Sequence, residues 1–270
     1  MYHKILVPLD RSEKAEMVIP YSIEIAVKFN SEIHLVTTAE PNSDSADPSY
    51  LNYFANIIAN LENQSMVYKV KEKVTIHTRT LSGKPANEIL SYADEVEASL
   101  IAMASHGSSG GGQWVLGNIA AKILRASHKP LLLIRAPASE DKIAQRRILK
   151  KILVPLDGSK LGEAAIPLVK ALATGLNAEV ILIHVDEPII TWGIYEDYPG
   201  YTASPPDPES RKASAIAYLD SVAKPLKDSG LTASSVMVFG LPARAIAQYT
   251  KDNDVDLIAI STHGRSGIAE

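Results

Sequence analysis

The stretch "MASHGSSGGGQWVLGNIAAKIL", residues 103–124, leads from an apolar run through a glycine cluster into a helical pattern. Backbone amides at a helix start favour an anion, and glycine lets a phosphate approach the main chain closely. Phosphate binding is the chemistry this composition allows. The alternative is a plain turn, because Gly110-Gly111-Gly112 can also simply reverse the chain. A second candidate is "PLDRS", where Asp10 and Ser12 stand at a predicted helix start, and it recurs as "PLDGS" with Asp157 and Ser159. These residues are either helix caps or groups facing a ligand at the end of a strand.

Sharper fingerprints are missing. A dinucleotide loop counted from Gly110 finds Val115 at its last glycine, and the Walker spacing from Gly112 to Gly117 runs into Asn118-Ile119 instead of Lys-Ser. Neither a G-x-S-x-G elbow nor an H-E-x-x-H helix occurs. No acid and base pair up, and the seven histidines show no ligand spacing, so no catalytic or metal residue is assigned. His106 and His263 follow a strand beside glycine and are expected to be structural, bonded to the backbone. With no cysteine, disulfides and thiolate metal sites are excluded. Asn63-Gln64-Ser65 fits a glycosylation acceptor but lacks the secretory signal that would give it meaning.

The elements that must position these residues occur twice. "KILVPLDRSEKAEMVIP" from Lys4 returns as "KILVPLDGSKLGEAAIP" from Lys151, "SGKPANEIL" as "FGLPARAIA", and "LIAMASHGSSG" as "LIAISTHGRSG". The second copy is longer between Pro188 and Gly240, where "PIITWGIYEDYPGYTASPPDPES" stands. Its Trp192, Tyr195, Tyr198 and Tyr201 form either a lid or an ordinary surface loop. Trp114 is expected to begin the apolar face of its helix.

In the first copy the apolar runs "KILVPL" and "EIHLVTTA" are predicted strands, with "AEMVIPYSIEIAVKF" spaced as one helix between them. A helix near 50–72, the strand "KVTIHTRTL", a helix from Pro85, the strand "SLIAMAS", a helix near 115–127 and the strand "PLLLIR" follow. Alternating strands and helices, with strands apolar on both faces, predict a doubly wound α/β domain with a parallel sheet, present twice. The polar, charged stretch around 138–149 is the expected linker between domains at 1–137 and 150–270. A length of 270 residues suits two domains of roughly 150 residues each. Ligands in such sheets sit beyond the carboxyl ends of the strands, which singles out "PLDRS", Thr37-Thr38 and the glycine-rich stretch.

A net charge of −4 and a pI near 6.0 argue against a nucleic-acid or membrane-surface partner. No apolar stretch reaches about 18 residues and the start is not signal-like, so a cytoplasmic protein is expected.

With "ILVPLD" opening both halves, G-x-P before the third helix, and "SHG" followed by Gly117-Asn118, the chain resembles the universal stress protein family over nearly its whole length. The resemblance implies a strand order 3-2-1-4-5 in each domain, dimers paired through fifth strands, and, in one branch, ATP bound through G-2x-G-9x-G-(S/T). It implies that Pro8, Leu9 and Asp10 lie against the adenosine, the backbone near Thr38 meets the adenine edge, and Met103 and Ala104 flank the base and ribose. Gly107, Gly117, Asn118 and Ile119 would supply amides to the phosphates. Ala104 replaces the motif's first glycine, Asn118 its Ser or Thr, and Ser108 a frequent cation. Between Lys84 and Lys122 no Lys or Arg occurs, which leaves the phosphates to amides, the helix dipole and a metal ion such as Mg. In the second half the corresponding positions are Pro155, Asp157, Val185, Ser261 and Gly264, with Arg265 beside them, and "THGRSGIAE" stops before the Gly-Ser helix and the fifth strand. That pattern implies a truncated chain or an assembly covering the sheet edge. The function implied is a cytoplasmic stress-response regulator that binds ATP mainly through its first domain and changes its assembly or partners. The alternative is a nucleotide-free scaffold of the same fold. Any enzymatic activity would be at most slow ATP hydrolysis.

Overall fold

A computed structural model describes residues 1–39, 44–64, 74–106, 116–135, 149–187 and 207–262. The chain divides into two compact units, Met1–Arg146 and Arg147–Glu270. The expected linker lies outside the described residues except for Leu149.

The first unit runs β1 (Lys4–Pro8), α1 (Glu13–Glu16), α2 (Ile19–Phe29), β2 (Glu32–Thr38), α3 (Pro48–Gln64), β3 (Ile76–Leu81), α4 (Pro85–Glu95), β4 (Leu100–Ala104), α5 (Asn118–Ala126) and β5 (Leu131–Ile134). Its five strands are parallel in the order β3-β2-β1-β4-β5. The second unit runs β6 (Lys151–Pro155), a 3-10 turn (Gly162–Ala165), α6 (Ile166–Leu176), β7 (Glu179–Asp186), α7 (Pro208–Asp228), β8 (Ala233–Phe239), α8 (Pro242–Asp252) and β9 (Leu257–Ile258). Among the described residues its four strands are parallel in the order β8-β7-β6-β9, one fewer than in the first sheet. The two doubly wound domains agree with the expected fold class.

The central strands are apolar throughout because helices cover both faces of a parallel sheet. Every residue of β4 is buried, and so is β1 after Lys4. Leu6, Ile101 and Ile123 are sealed in one cluster with Ile89, Tyr92 and Met103, which fastens α4 and α5 to the sheet. Each such side chain contributes about 1.5–3 kcal/mol by leaving water. Leu153, Ile181, Ile183 and Val255 form the corresponding core of the second unit.

The single helix expected over "AEMVIPYSIEIAVKF" is two pieces, α1 and α2, separated at Met17-Val18. Pro20 has no N–H to donate back by four residues, and it sits in the first turn of α2, where none is needed. The apolar spacing runs unbroken through the break, which hides it from a periodicity argument. Both α2 and α6 end on an asparagine in the left-handed region, Asn30 at φ 53° and Asn177 at φ 54°. Among the described residues α3 ends at Gln64, and the remainder of the helix expected to 72 lies outside them.

Candidate functional site

The strand order reverses between β1 and β4, and the carboxyl ends of β1, β2 and β4 open there. Pairing continues just past the strands: Leu9 N–H donates to the Val36 carbonyl at 2.8 Å, Ala39 N–H to Leu81 at 2.7 Å, and Ser105 N–H to Ile134 at 2.8 Å. Pro8 and Leu9 are therefore buried main-chain wall, while Asp10 projects beyond it exposed. Thr38 closes β2, half-buried, and Met103 and Ala104 close β4, both buried.

Asp10 is tied to the helix that follows. Its Oδ1 accepts from Ser12 N–H at 3.1 Å and from the Ser12 hydroxyl at 2.5 Å, and Ser12 Oγ accepts from Ala15 N–H at 3.2 Å. The second unit repeats the relay: Asp157 Oδ1 accepts from Ser159 N–H at 2.9 Å and its hydroxyl at 2.7 Å, and Ser159 Oγ accepts from Gly162 N–H at 2.9 Å. Ser12 is the N-cap of α1, Ser159 accepts from the first residue of the 3-10 turn in the same way, and the aspartate holds each serine. The residue between them is left-handed in each case, Arg11 at φ 65° and Gly158 at φ 85°. Arginine is held there with its guanidinium 4.8 Å from the centre of the Tyr50 ring.

A tyrosine stands near the helical turn that follows each relay, a feature with no short-range signal in the sequence. The Tyr218 hydroxyl donates to Glu163 Oε1 at 3.2 Å, and burial, followed by the Glu163 charge, pushes its pKa up to about 12. Burial, followed by the charge of Glu16, raises the Tyr53 phenol as well, and Asp10 adds to the effect.

The first turn of α5 faces the same crevice. Gly117 precedes it with φ −58° and no side-chain cap, and its N–H donates to the Ser105 carbonyl at 2.9 Å. A Cβ on Gly117 would stand 3.1 Å from that carbonyl oxygen and 3.6 Å from His106 Cα. Glycine is thus favoured by close approach, and the φ would suit any residue. Asn118 and Ile119 are exposed, and their amides, with that of Ala120, precede the first intrahelical bond, from Ala121 N–H to Gly117 O. These are the donors an anion would use.

His106 differs from its expected backbone bonding: Nδ1 lies 3.1 Å from the Ser105 hydroxyl. A backbone-bonded histidine does occur in the second unit, where His184 Nδ1 contacts the Leu156 carbonyl at 2.8 Å. Pro155, Val185 and Ser261 are half-buried at the carboxyl ends of β6, β7 and β9. Beside them Arg211 of α7 pairs with Asp186 of β7 at 2.9 Å, a cation that the motifs do not mark. Gly107, Ser108, the Gly110–Gly112 run, Trp114, the aromatics from Trp192 to Tyr201, His263, Gly264 and Arg265 lie outside the described residues.

Two parallel sheets joined in one chain, with an uncapped helix start where the first sheet reverses its strand order, define a tandem doubly wound α/β protein. The model of the universal stress protein family matches residues 1–135 and again 149–270, and the chain belongs to that family. A universal stress protein of Methanocaldococcus jannaschii is 30% identical over 148 residues, covering 52% of this chain and 86% of the relative. The universal stress protein YxiE of Bacillus subtilis is 28% identical over 149 residues, 50% of this chain and 100% of the relative. A crystal structure of a universal stress protein from Archaeoglobus fulgidus shares the fold, with a TM-score of 0.64 at 18% identity over 96% of this chain and 86% of that one.

Proposed function

We propose that the first domain binds an adenine nucleotide, ATP, in the crevice between β1 and β4, and that occupancy alters the assembly or partners of a cytoplasmic regulatory protein. The observation that carries this reading is the start of α5: three first-turn amides opening where the strand order reverses, brought close to the end of β4 by a glycine whose Cβ would stand 3.1 Å from the Ser105 carbonyl oxygen. Asn118, Ile119 and Ala120 would receive the phosphates, and the walls formed by Leu9, Thr38, Met103 and Ala104 would receive the nucleoside. Without Lys or Arg between Lys84 and Lys122, a magnesium ion carried in with the nucleotide supplies the missing positive charge. The second domain, with Asp157, Val185 and Ser261, is the weaker candidate, because among the described residues no helix start like that of α5 follows β9.

Purified protein, denatured and analysed by chromatography, is expected to release adenine nucleotide at about one per chain, or to gain thermal stability with Mg-ATP; at a hundredfold excess over Kd the gain is about 2.7 kcal/mol. Absence of both effects overturns the reading.

A second reading, an interaction module without nucleotide that pairs with itself or with another protein, is favoured by the second sheet. Among the described residues β9 is the outermost strand on that side, with Ile258 exposed at 40% and Ile260, just after it, at 64%. Sedimentation of the protein at several concentrations tests the self-pairing form of this reading: a monomer at all of them removes it.

A further inference from the structure

At the amino end of the first sheet, away from the crevice, a different chemistry is assembled. Parallel pairing of β2 with β3 sets His34 directly opposite His77, and the pleat puts Glu32, two residues earlier, on the same face. The imidazole centres lie 4.6 Å apart with planes 24° from parallel. Glu32 Oε2 is 3.7 Å from Nε2 of each histidine, and one donor atom from each of the three residues lies within 4.8 Å of the others. A separation of 3.7 Å is too long for a hydrogen bond. It is near the spacing of about 3.3 Å between two donors of a tetrahedral ion with bonds of about 2.0–2.1 Å.

An independent observation concerns His34 itself. The residue is only 7% exposed, and its Nε2, directed into this cluster, has no hydrogen-bond partner among the described residues. Buried polar atoms are almost always paired, so one left without a partner asks for an explanation. The other ring nitrogen, Nδ1, is 3.1 Å from the Tyr92 hydroxyl, the kind of outer contact that orients a metal-bound imidazole. Tyr92 is in turn held in the core of α4 under the Arg79 guanidinium, 4.8 Å from its ring centre. The side chains of Glu32 and His77 are about half exposed, at 45% and 48%, so an ion has an entry path and room for water ligands.

We propose that Glu32, His34 and His77 form a binding site for one divalent first-row transition-metal ion of the zinc type. Two imidazoles and one carboxylate suit that class better than the harder calcium or magnesium, which prefer oxygen donors alone. Lys4, in register with Glu32 on β1, adds a nearby positive charge that lowers the affinity without removing a donor. In the second unit the positions corresponding to His34 and its partner are Ile181 and Ser234, which pair in the same register, so the cluster is not repeated there and one ion per chain is expected.

The full-length protein, stripped with a chelator, is titrated with Zn²⁺ against a chromophoric competitor, and with Co²⁺ while its visible d–d bands are followed. One equivalent of Zn²⁺ binding at micromolar protein is expected. His77→Ala and Glu32→Gln, both at exposed side chains, should each weaken it at least about tenfold and quench the cobalt bands. His128→Ala should change nothing, and far-ultraviolet circular dichroism checks that every variant is folded. Failure to bind Zn²⁺, or binding undiminished in both cluster variants, overturns the proposal.

Discussion

Gly117 N–H donates to the Ser105 carbonyl at 2.9 Å, tying the start of α5 to the end of β4. The contact makes a side chain on Gly117 crowded, since a Cβ would meet the same oxygen at 3.1 Å. Valine adds two further carbons at that point. Gly117→Val is expected to lower stability by about 1–3 kcal/mol through this crowding and to abolish any gain in melting temperature from Mg-ATP. Thermal unfolding of both proteins, with and without nucleotide, measures the two effects; a variant that still responds to Mg-ATP separates Gly117 from the crevice.

Ile123 is fully buried in the cluster that fastens α5 to β1 and β4. Ile123→Ala should cost about 2–5 kcal/mol, the range for an aliphatic core truncation. Because α5 carries the proposed phosphate donors, nucleotide affinity should fall as well. Urea denaturation reads the first quantity, and a fluorescent ATP analogue the second.

The two aspartate–serine relays allow a comparison within one molecule. Ser12→Ala and Ser159→Ala each remove a side-chain acceptor from the turn that follows β1 or β6 and should each cost about 1 kcal/mol. Gly158→Ala puts a Cβ at φ 85° and should cost about 1–2 kcal/mol. Midpoints in denaturant test all three; no change in any of them would mean that the relays leave these turns unsupported.

Tyr2 packs edge-on against Phe29 at 5.1 Å, and burial pushes its pKa up to about 12, as burial and then Glu163 do for Tyr218. A folded value raised above the unfolded value of about 10 stabilises the protein fully below pH 10, and the contribution is lost as pH climbs from 10 through 12. Ultraviolet titration of tyrosinate should therefore show these phenols ionising late, and Tyr218→Phe should make unfolding less steep over that interval. Ionisation of all eleven tyrosines near pH 10 would contradict this account.

Much of the frame is legible in residues alone. The repeat from Lys4 to Lys151 announces two domains, and the alternation of apolar runs with helical spacing announces parallel sheets. Asp10-x-Ser12 and Asp157-x-Ser159 read as caps or as groups facing a ligand, and the short-range side-chain bonds at both are of the kind a few residues can specify. The break at Met17-Val18 was signalled by Pro20 yet hidden by the apolar spacing around it.

The chain by itself determined which segments become strands or helices, the break at Met17-Val18 excepted, and that the pattern occurs twice, since these depend on contacts a few residues long. Only the tertiary structure decided that Tyr218 reaches Glu163, that Arg211 neutralises Asp186, and that His34 meets His77 beside Glu32. Those pairs lie far apart in sequence and belong to different elements. Their meeting depends on strand register and on how each helix packs, which are set by burial of the whole apolar core and not by any local pattern.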